Sequence, residues 1–342
     1  MTEQHYYSAH AFDSANIPRQ PRPRATTIGA LSLPLPWGNP QEFIPPTFWH
    51  HMRPKHLRER EERERKEPGR AARLSEKLGT AFDHQHIRYA PASAWSNFWL
   101  YMEGFGKWLF FLTLAALVLS IPITLLALTE DTVSDILLGT FEVALWSSGP
   151  CLSAWLIGHL GLTYIPEEYL ERPSRKGPVW EMNRQTGMVT LFARKKGQFR
   201  KYGIEGDFIA PFYEFDAAIH TIPDHQGMPW NMLNLLHRYT PVGIDFSVVM
   251  GKQRLVEPCM AMWDFWQRYM DISQPLPEIP LLEQYRHLDP MTAEYDQRSA
   301  RPPRFWRDMD EKTFDDKLLE MGNTSAITMN RPDLMWRYRP AG

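Results

Sequence analysis

The sequence predicts an α+β membrane protein: a two-helix transmembrane hairpin, then a cytoplasmic β-rich domain carrying a C-terminal helix. Three observations predict it. Trp108–Leu128 reads WLFFLTLAALVLSIPITLLAL and carries no charge; at about 21 residues it is long enough to cross a hydrocarbon core of roughly 30 Å. A second apolar stretch follows after the short acidic connection TEDTVSD. From Val179 the pattern changes to short runs rich in aromatic and β-branched residues, broken by turn residues.

Composition narrows the class. A formal charge of −2 over 342 residues argues against nucleic-acid binding by the whole chain. The 13 Trp suit membrane interfaces and protein partners, and the 29 Pro suit long irregular connections. Cys151 and Cys259 lie far apart in different kinds of segment, so no disulfide is expected. That fits a bacterial inner membrane or another reducing compartment. The opening MTEQHYYSAHAFDS has no basic start followed by an apolar run, so no cleavable signal is expected.

Residues 1–55 form a Pro-rich arm. IPRQPRPR and LSLPLPWGNP favour an extended chain. Leu31, Leu33, Leu35, Trp37, Phe43, Phe48 and Trp49 favour docking on the folded domain over full disorder; a Pro-rich ligand for another protein's aromatic groove is the competing reading. Residues 56–94 hold the charged run HLREREERERKEPGRAARLSEKLG. Its Glu59/Arg63, Arg60/Glu64 and Glu61/Arg65 spacings support an exposed helix, with a break at Pro68-Gly69. The alternating signs favour a solvated helix over a nucleic-acid arm. His50, His51, His56, His84 and His86 raise a metal reading, but nothing downstream completes a ligand set, so no metal or cofactor is expected.

The hairpin occupies 95–166, with spans at about 108–128 and 138–162. Trp95, Phe98, Trp99, Tyr101, Phe105 and Trp108 crowd the entry as an interfacial aromatic belt would. Pro122 allows a kink. Ser147, Ser148, Gly149 and Pro150 interrupt the second stretch, which runs from Ile136 to Ile165, and such small residues permit a homodimer through the helices. The alternative, a buried hairpin of a soluble protein, is disfavoured because the first stretch has neither charge nor polar face. Glu130, Asp131 and Asp135 lie in the connection, whereas Arg88, Lys107, Arg172, Arg175 and Lys176 flank it. Basic residues stay cytoplasmic, which places both termini inside.

The β-domain is expected over 174–273. Trp180–Arg184 and Met188–Arg194 read as strands around Gln185-Thr186-Gly187. ARKKGQFRKYG suggests a turn at Lys196-Gly197 and a further short strand. Phe208–Ile222 follows as a strand whose start Pro211 demotes to an edge or bulge. Trp230–Tyr239 and Val242–Met250 read as two more, although NMLNLL fits a helix as well. Met262, Phe265, Trp266 and Tyr269 then show helical spacing within Pro258–Met270. Strands followed by one amphipathic helix match the element order of a pleckstrin-homology-like barrel. A Pro-rich wrapping tail, 274–342, carries one helix over Asp310–Met321 that ends at Gly322.

No phosphate loop, GxSxG, HExxH or CxxC occurs, so an enzyme is not expected. The polar candidates are few. Glu142 and His159 lie within the second apolar stretch, where an ionisable residue is a functional candidate. Glu214, Asp216 and His220 would share one strand face, which a solvated strand explains equally. Arg194, Lys195, Lys196, Arg200 and Lys201 form a basic cluster that suits anionic headgroups or a protein partner; a solvated hairpin tip is the plain alternative.

Trp180, Glu181, Asn183, Arg184, Thr186, Gly187, Val189, Thr190 and Phe192 spell W-E-x-N-R-x-T-G-x-V-T-x-F. In this, roughly over residues 100–270, the chain resembles bacterial inner-membrane proteins that join a helical hairpin to a cytoplasmic β-domain and are encoded beside type VI secretion effectors and polymorphic toxins. The resemblance implies an immunity or accessory factor whose partner is a secreted toxin or secretion component. It implies no catalytic residues. The competing expectation is a membrane scaffold or lipid-sensing module that contacts membrane lipids.

Overall fold

The computed structural model describes residues 6–21, 32–41, 52–127, 133–170, 172–325 and 332–338. Leu31, Phe43, Phe48, Trp49, His50, His51, Leu128, Glu130 and Asp131 lie outside that set. The chain divides into two units, Met1–Tyr89 with Pro178–Gly342, and Ala90–Gly177. Residues from the expected arm, charged region, β-domain and tail belong to the first unit, and the hairpin lies in the second.

The elements in chain order are β1 (Ser32–Pro34), α1 (Pro54–Lys66), α2 (Arg70–Leu78), β2 (Ala81–Phe82), β3 (His86–Tyr89), α3 (Ala94–Ala127), α4 (Val133–Tyr164), α5 (Glu167–Leu170), β4 (Trp180–Asn183), β5 (Met188–Leu191), β6 (Phe208–Pro211), β7 (Phe215–Pro223), β8 (Pro229–His237), β9 (Gly243–Asp245), α6 (Ser247–Met250), α7 (Glu257–Met270), α8 (Pro290–Arg298) and α9 (Glu311–Ser325). The fold is mixed α+β with two antiparallel sheets, β1-β7-β8-β9 and β2-β3-β4-β5-β6.

Several local expectations change. Phe208–Ile222 is not one strand: a 3₁₀ turn at Phe212–Glu214 splits it, so β6 joins one sheet and β7 the other. Pro211 ends β6, an edge strand, where a missing N–H costs no ladder bond. The strand expected after Lys196-Gly197 is instead a 3₁₀ turn, Arg200–Tyr202. Only Gly243–Asp245 of Val242–Met250 is strand, and Ser247–Met250 is helical. The charged run breaks at Gly69, which takes φ +75°. There Glu64 accepts from the Gly69 and Ala71 N–H groups, and Glu61 pairs with Arg304. Gly322 does not stop α9, which continues to Ser325. One interior glycine costs about 1 kcal/mol, and burial of Phe314 and Leu318 holds the helix.

α7 is the hub of the first unit. Trp266 meets Trp180 and Phe246, and Trp263 meets Trp37 and Phe212. Its spacing predicts one buried face, yet Asp264 and Gln267 on the remaining face are buried too. The N-terminal arm explains this. It lays extended backbone across α7, and that backbone needs acceptors. Gly38 N donates to Gln267 Oε1 at 2.6 Å and Gln41 N to Asp264 Oδ2 at 3.1 Å. Trp263 Nε1 returns a bond to Pro36 O.

In the second unit α4 runs back along α3. Ser148 Oγ donates to Thr113 Oγ1 at 2.9 Å, Trp155 packs on Phe110, and the Glu103 carboxylate meets His159 Nδ1 at 3.2 Å. Gly106 faces the backbone at Ala154-Trp155 and Gly158 faces that at Met102-Glu103, so close that neither has room for a Cβ. Glycine at both crossing points lets the two backbones touch. The outward surfaces are apolar: Trp108 is 78% exposed and Trp146 75%. Among the described residues one helix, Ala94–Ser120, is long and apolar enough to cross a membrane. The second expected span, 138–162, forms helix but does not meet that measure. Glu142, Ser147, Ser148 and His159 lower its apolarity.

Candidate functional site

The five-stranded sheet carries the site at one end. Its register aligns Tyr89 with Trp180, Trp180 with Leu191, and Leu191 with Phe208. These four residues form a row across the sheet. The chain departs for the second unit directly after Tyr89 and returns at Pro178. The β5–β6 loop springs from the other two members of the row. Antiparallel pairing therefore places both connections to the apolar hairpin and the basic loop at the same end of one sheet.

The loop has a fixed shape. Phe199 is its plug, 6% exposed and packed on Phe208. Successive turns follow: Gln198 N bonds Lys195 O, Arg200 N bonds Gly197 O, and Tyr202 N bonds Phe199 O. Gly197 at φ +70° and Gly203 at φ +80° take the left-handed conformation these turns need. At the loop's base Asp207 Oδ1 accepts from Ala193 N, and Tyr202 Oη donates to Pro241 O.

All five predicted basic residues come together on this loop. Lys195, Lys196, Arg200 and Lys201 are exposed and Arg194 is half-buried. Burial raises the Tyr89 phenol above its ordinary value, and the nearby Arg194 charge offsets part of that rise, which ties the cluster to the row where the chain leaves the sheet. Lys201 lies over the Tyr202 ring at 4.7 Å. Among the described residues none of the five meets a carboxylate within 4.0 Å. By contrast Arg88, Arg184, Arg238, Arg254, Arg286, Arg301 and Arg304 all do. Among the described residues the five basic side chains of this loop thus stand without an ion pair, although the loop also carries Glu205 and Asp207, which leaves it an excess of basic residues.

The other candidates do not assemble. Glu142 is exposed on α4, while His159 is paired with Glu103; 17 positions along one helix separate Glu142 from His159 by about 25 Å. Glu214 bonds His237 Nε2 at 3.0 Å, Asp216 takes Arg238 in a two-pronged pair, and His220 Nδ1 meets Ser32 Oγ. The expected common face is lost because Glu214 sits in the 3₁₀ turn. His237 has both ring nitrogens engaged, since Nδ1 accepts from Thr240 N. His56 meets Glu59, His86 meets Asp83, and His84 stacks between Tyr6 and Tyr285. Among the described residues no group of three or more His, Cys, Asp or Glu is placed to hold a metal ion. Burial pushes the Cys259 thiol up to about 12, too high for a thiolate nucleophile at neutral pH.

The W-E-x-N-R-x-T-G motif serves the fold: Trp180, Arg184 and Gly187 are buried and Glu181, Asn183 and Thr186 half-buried. Arg184 is fully buried and donates to the carbonyls of Tyr269, Asp271 and Gln274 and to both oxygens of Asp289. It thereby locks the C-terminus of α7, whose last carbonyls lack helical partners. Asn183 Oδ1 caps the turn at Thr186 N. Gly187, at φ +72°, lies under the backbone of His10 and Ala11, where a Cβ would collide. Ser8 N bonds Gln185 O, and Gln185 Nε2 bonds Tyr6 O. Asp289 is the partner that sequence reading missed. Its signal is Asp289-Pro290 followed by Thr292, an N-cap with Pro at the first helical position.

No protein-family model, curated protein or solved structure matches this chain.

Proposed function

We propose that this protein is a membrane-anchored binding protein whose hairpin crosses the bilayer twice and tethers the α+β unit on the basic-rich side. The observation that carries the reading is the α3–α4 pairing, which joins the helices through Gly106, Gly158 and Ser148 and leaves Trp108, Leu112, Leu119, Phe141 and Trp146 outward. A hairpin in water would turn such residues inward. One helix meets the length and apolarity of a span. Pairing with it gives the polar Ser148 of α4 a bond inside the hairpin. The connecting Glu130, Asp131 and Asp135 are acidic and the flanking Arg172, Arg175 and Lys176 are basic, which supports both termini lying on the cytoplasmic side, for which a bacterial inner membrane is the setting.

The chain acts by binding rather than catalysis. Support comes from the titratable candidates, whose polar atoms are committed to other protein groups in the His237–Glu214, Arg238–Asp216 and Arg184–Asp289 pairs. Strands β4–β9, followed by the short α6 and then α7, support the strand-then-helix order of a pleckstrin-homology-like module and with it a membrane-surface scaffold. The immunity reading has the motif as its support, and the motif's residues are engaged inside the fold; a toxin partner is therefore not put forward.

Alkaline extraction of membranes holding the tagged full-length chain tests the anchor. The protein is expected to stay in the pellet, and a cysteine placed at Asp131 is expected to react with an impermeant maleimide from outside intact cells. Release by carbonate, or labelling only after lysis, would remove the two-span reading.

A further inference from the structure

We infer that the β5–β6 loop is a docking surface for anionic lipid headgroups of the same membrane in which the hairpin lies. The inference rests on the anchored reading above and names the ligand of that site. Three observations meet. Lys195, Lys196, Arg200 and Lys201 are exposed without a carboxylate partner among the described residues, so their charge is available to an outside anion. The loop is pre-shaped by Phe199 and by its own turns, so binding orders little further chain. It leaves the sheet in the row Tyr89–Trp180–Leu191–Phe208, from which both connections to the hairpin also leave.

The last observation selects lipid over a soluble acidic partner. Tyr89 and Pro178 tie that end of the sheet to the spans through connections of under twenty residues, and a basic surface so tethered meets anionic lipid at high effective concentration. The segment that returns from the hairpin is itself basic, with Arg172, Arg175 and Lys176. The exposed Val248 of α6 belongs to this end too, since Tyr89 Oη donates to Val248 O at 3.4 Å. Each basic residue near an anionic surface strengthens attachment by roughly fivefold, and the effect fades over about 10 Å at ordinary salt.

Hydrogen exchange of the full-length chain in nanodiscs tests this. One set of discs is phosphatidylcholine alone; in the other, part of it is replaced by phosphatidylglycerol. Amides over 194–203 are expected to exchange several-fold more slowly in the anionic discs, and high salt is expected to remove the difference. Replacing Lys195, Lys196, Arg200 and Lys201 together by glutamine is expected to abolish it while α7 amides stay protected. If that variant loses α7 protection, the comparison of the two lipids and of salt on the natural chain still decides. Equal exchange in both discs overturns the inference. So does equal slowing by inorganic phosphate in phosphatidylcholine discs, which assigns a free anion. A chain that fails to enter discs at all refutes the anchor instead, so the two failures are distinct.

Discussion

Replacing Arg184 by methionine is expected to destabilise the α+β unit by about 3–5 kcal/mol, the range for breaking a buried ion pair from one side. Both side chains of the Arg184–Asp289 pair are inaccessible to water. The substitution leaves the Asp289 carboxylate buried and strands the carbonyls of Tyr269, Asp271 and Gln274. Arg184→Lys is expected to recover little, because one ammonium has three donors and no planar fork to reach these acceptors together. Denaturant unfolding of the full-length chain in detergent, followed by Trp fluorescence, measures both. The pair also sets an acid limit. Burial alone would raise Asp289, but the Arg184 charge and the hydrogen bonds from Thr292, Arg184 and Tyr7 outweigh it and hold the carboxyl below its ordinary value. A depressed folded value means the contribution is present above the unfolded carboxyl's pKa, about 3.9, and is lost as pH falls through the folded one. Arg184→Met is therefore expected to flatten the loss of stability below about pH 4.

Trp37→Ala is expected to cost about 3–5 kcal/mol as well, the range for removing a fully buried large aromatic. Trp37 is 2% exposed and contacts Phe12, Phe212 and Trp263. Its loss does more than leave a cavity. The arm over 32–41 covers Asp264 and Gln267 with backbone donors, and without its anchor the bonds from Gln41 N and Gly38 N to these buried side chains are lost. Limited proteolysis should then cut within the arm before any other part of the unit. Leu33, on the same arm but 54% exposed, is the comparison: Leu33→Ala is expected to stay within about 0.5 kcal/mol of the natural chain.

What the sequence made legible was local. The first helix of the hairpin shows in an uncharged run, the β4–β5 hairpin in strand residues around Gln185-Thr186-Gly187, and α7 in its four spaced apolar positions. The break at Pro68-Gly69 carries its own chemistry. What stayed hidden depends on pairing across the chain. β1 pairs Ser32 with His220, and β3 pairs His86 with Asn183; strands this short have no periodicity of their own, and their partners supply the order. The burial of Asp264 and Gln267 was hidden for the same reason, because the arm that covers them is more than two hundred residues away in sequence. The basic cluster was visible as composition, but not that it shares a sheet end with both connections to the hairpin. That follows only from the register.

The proposed docking of that sheet end on lipid headgroups is open to direct measurement. A direct measure is headgroup quenching in proteoliposomes. A fluorophore is attached at Glu205→Cys, on the exposed basic loop, or at Ala9→Cys, on the strap that crosses the β4–β5 turn at the other end of the sheet, each in a Cys151→Ser background. Spin-labelled lipid headgroups are predicted to quench the probe at 205 strongly and the probe at 9 weakly. Equal quenching at both positions, or stronger quenching at 9, would contradict docking of the basic loop on the membrane.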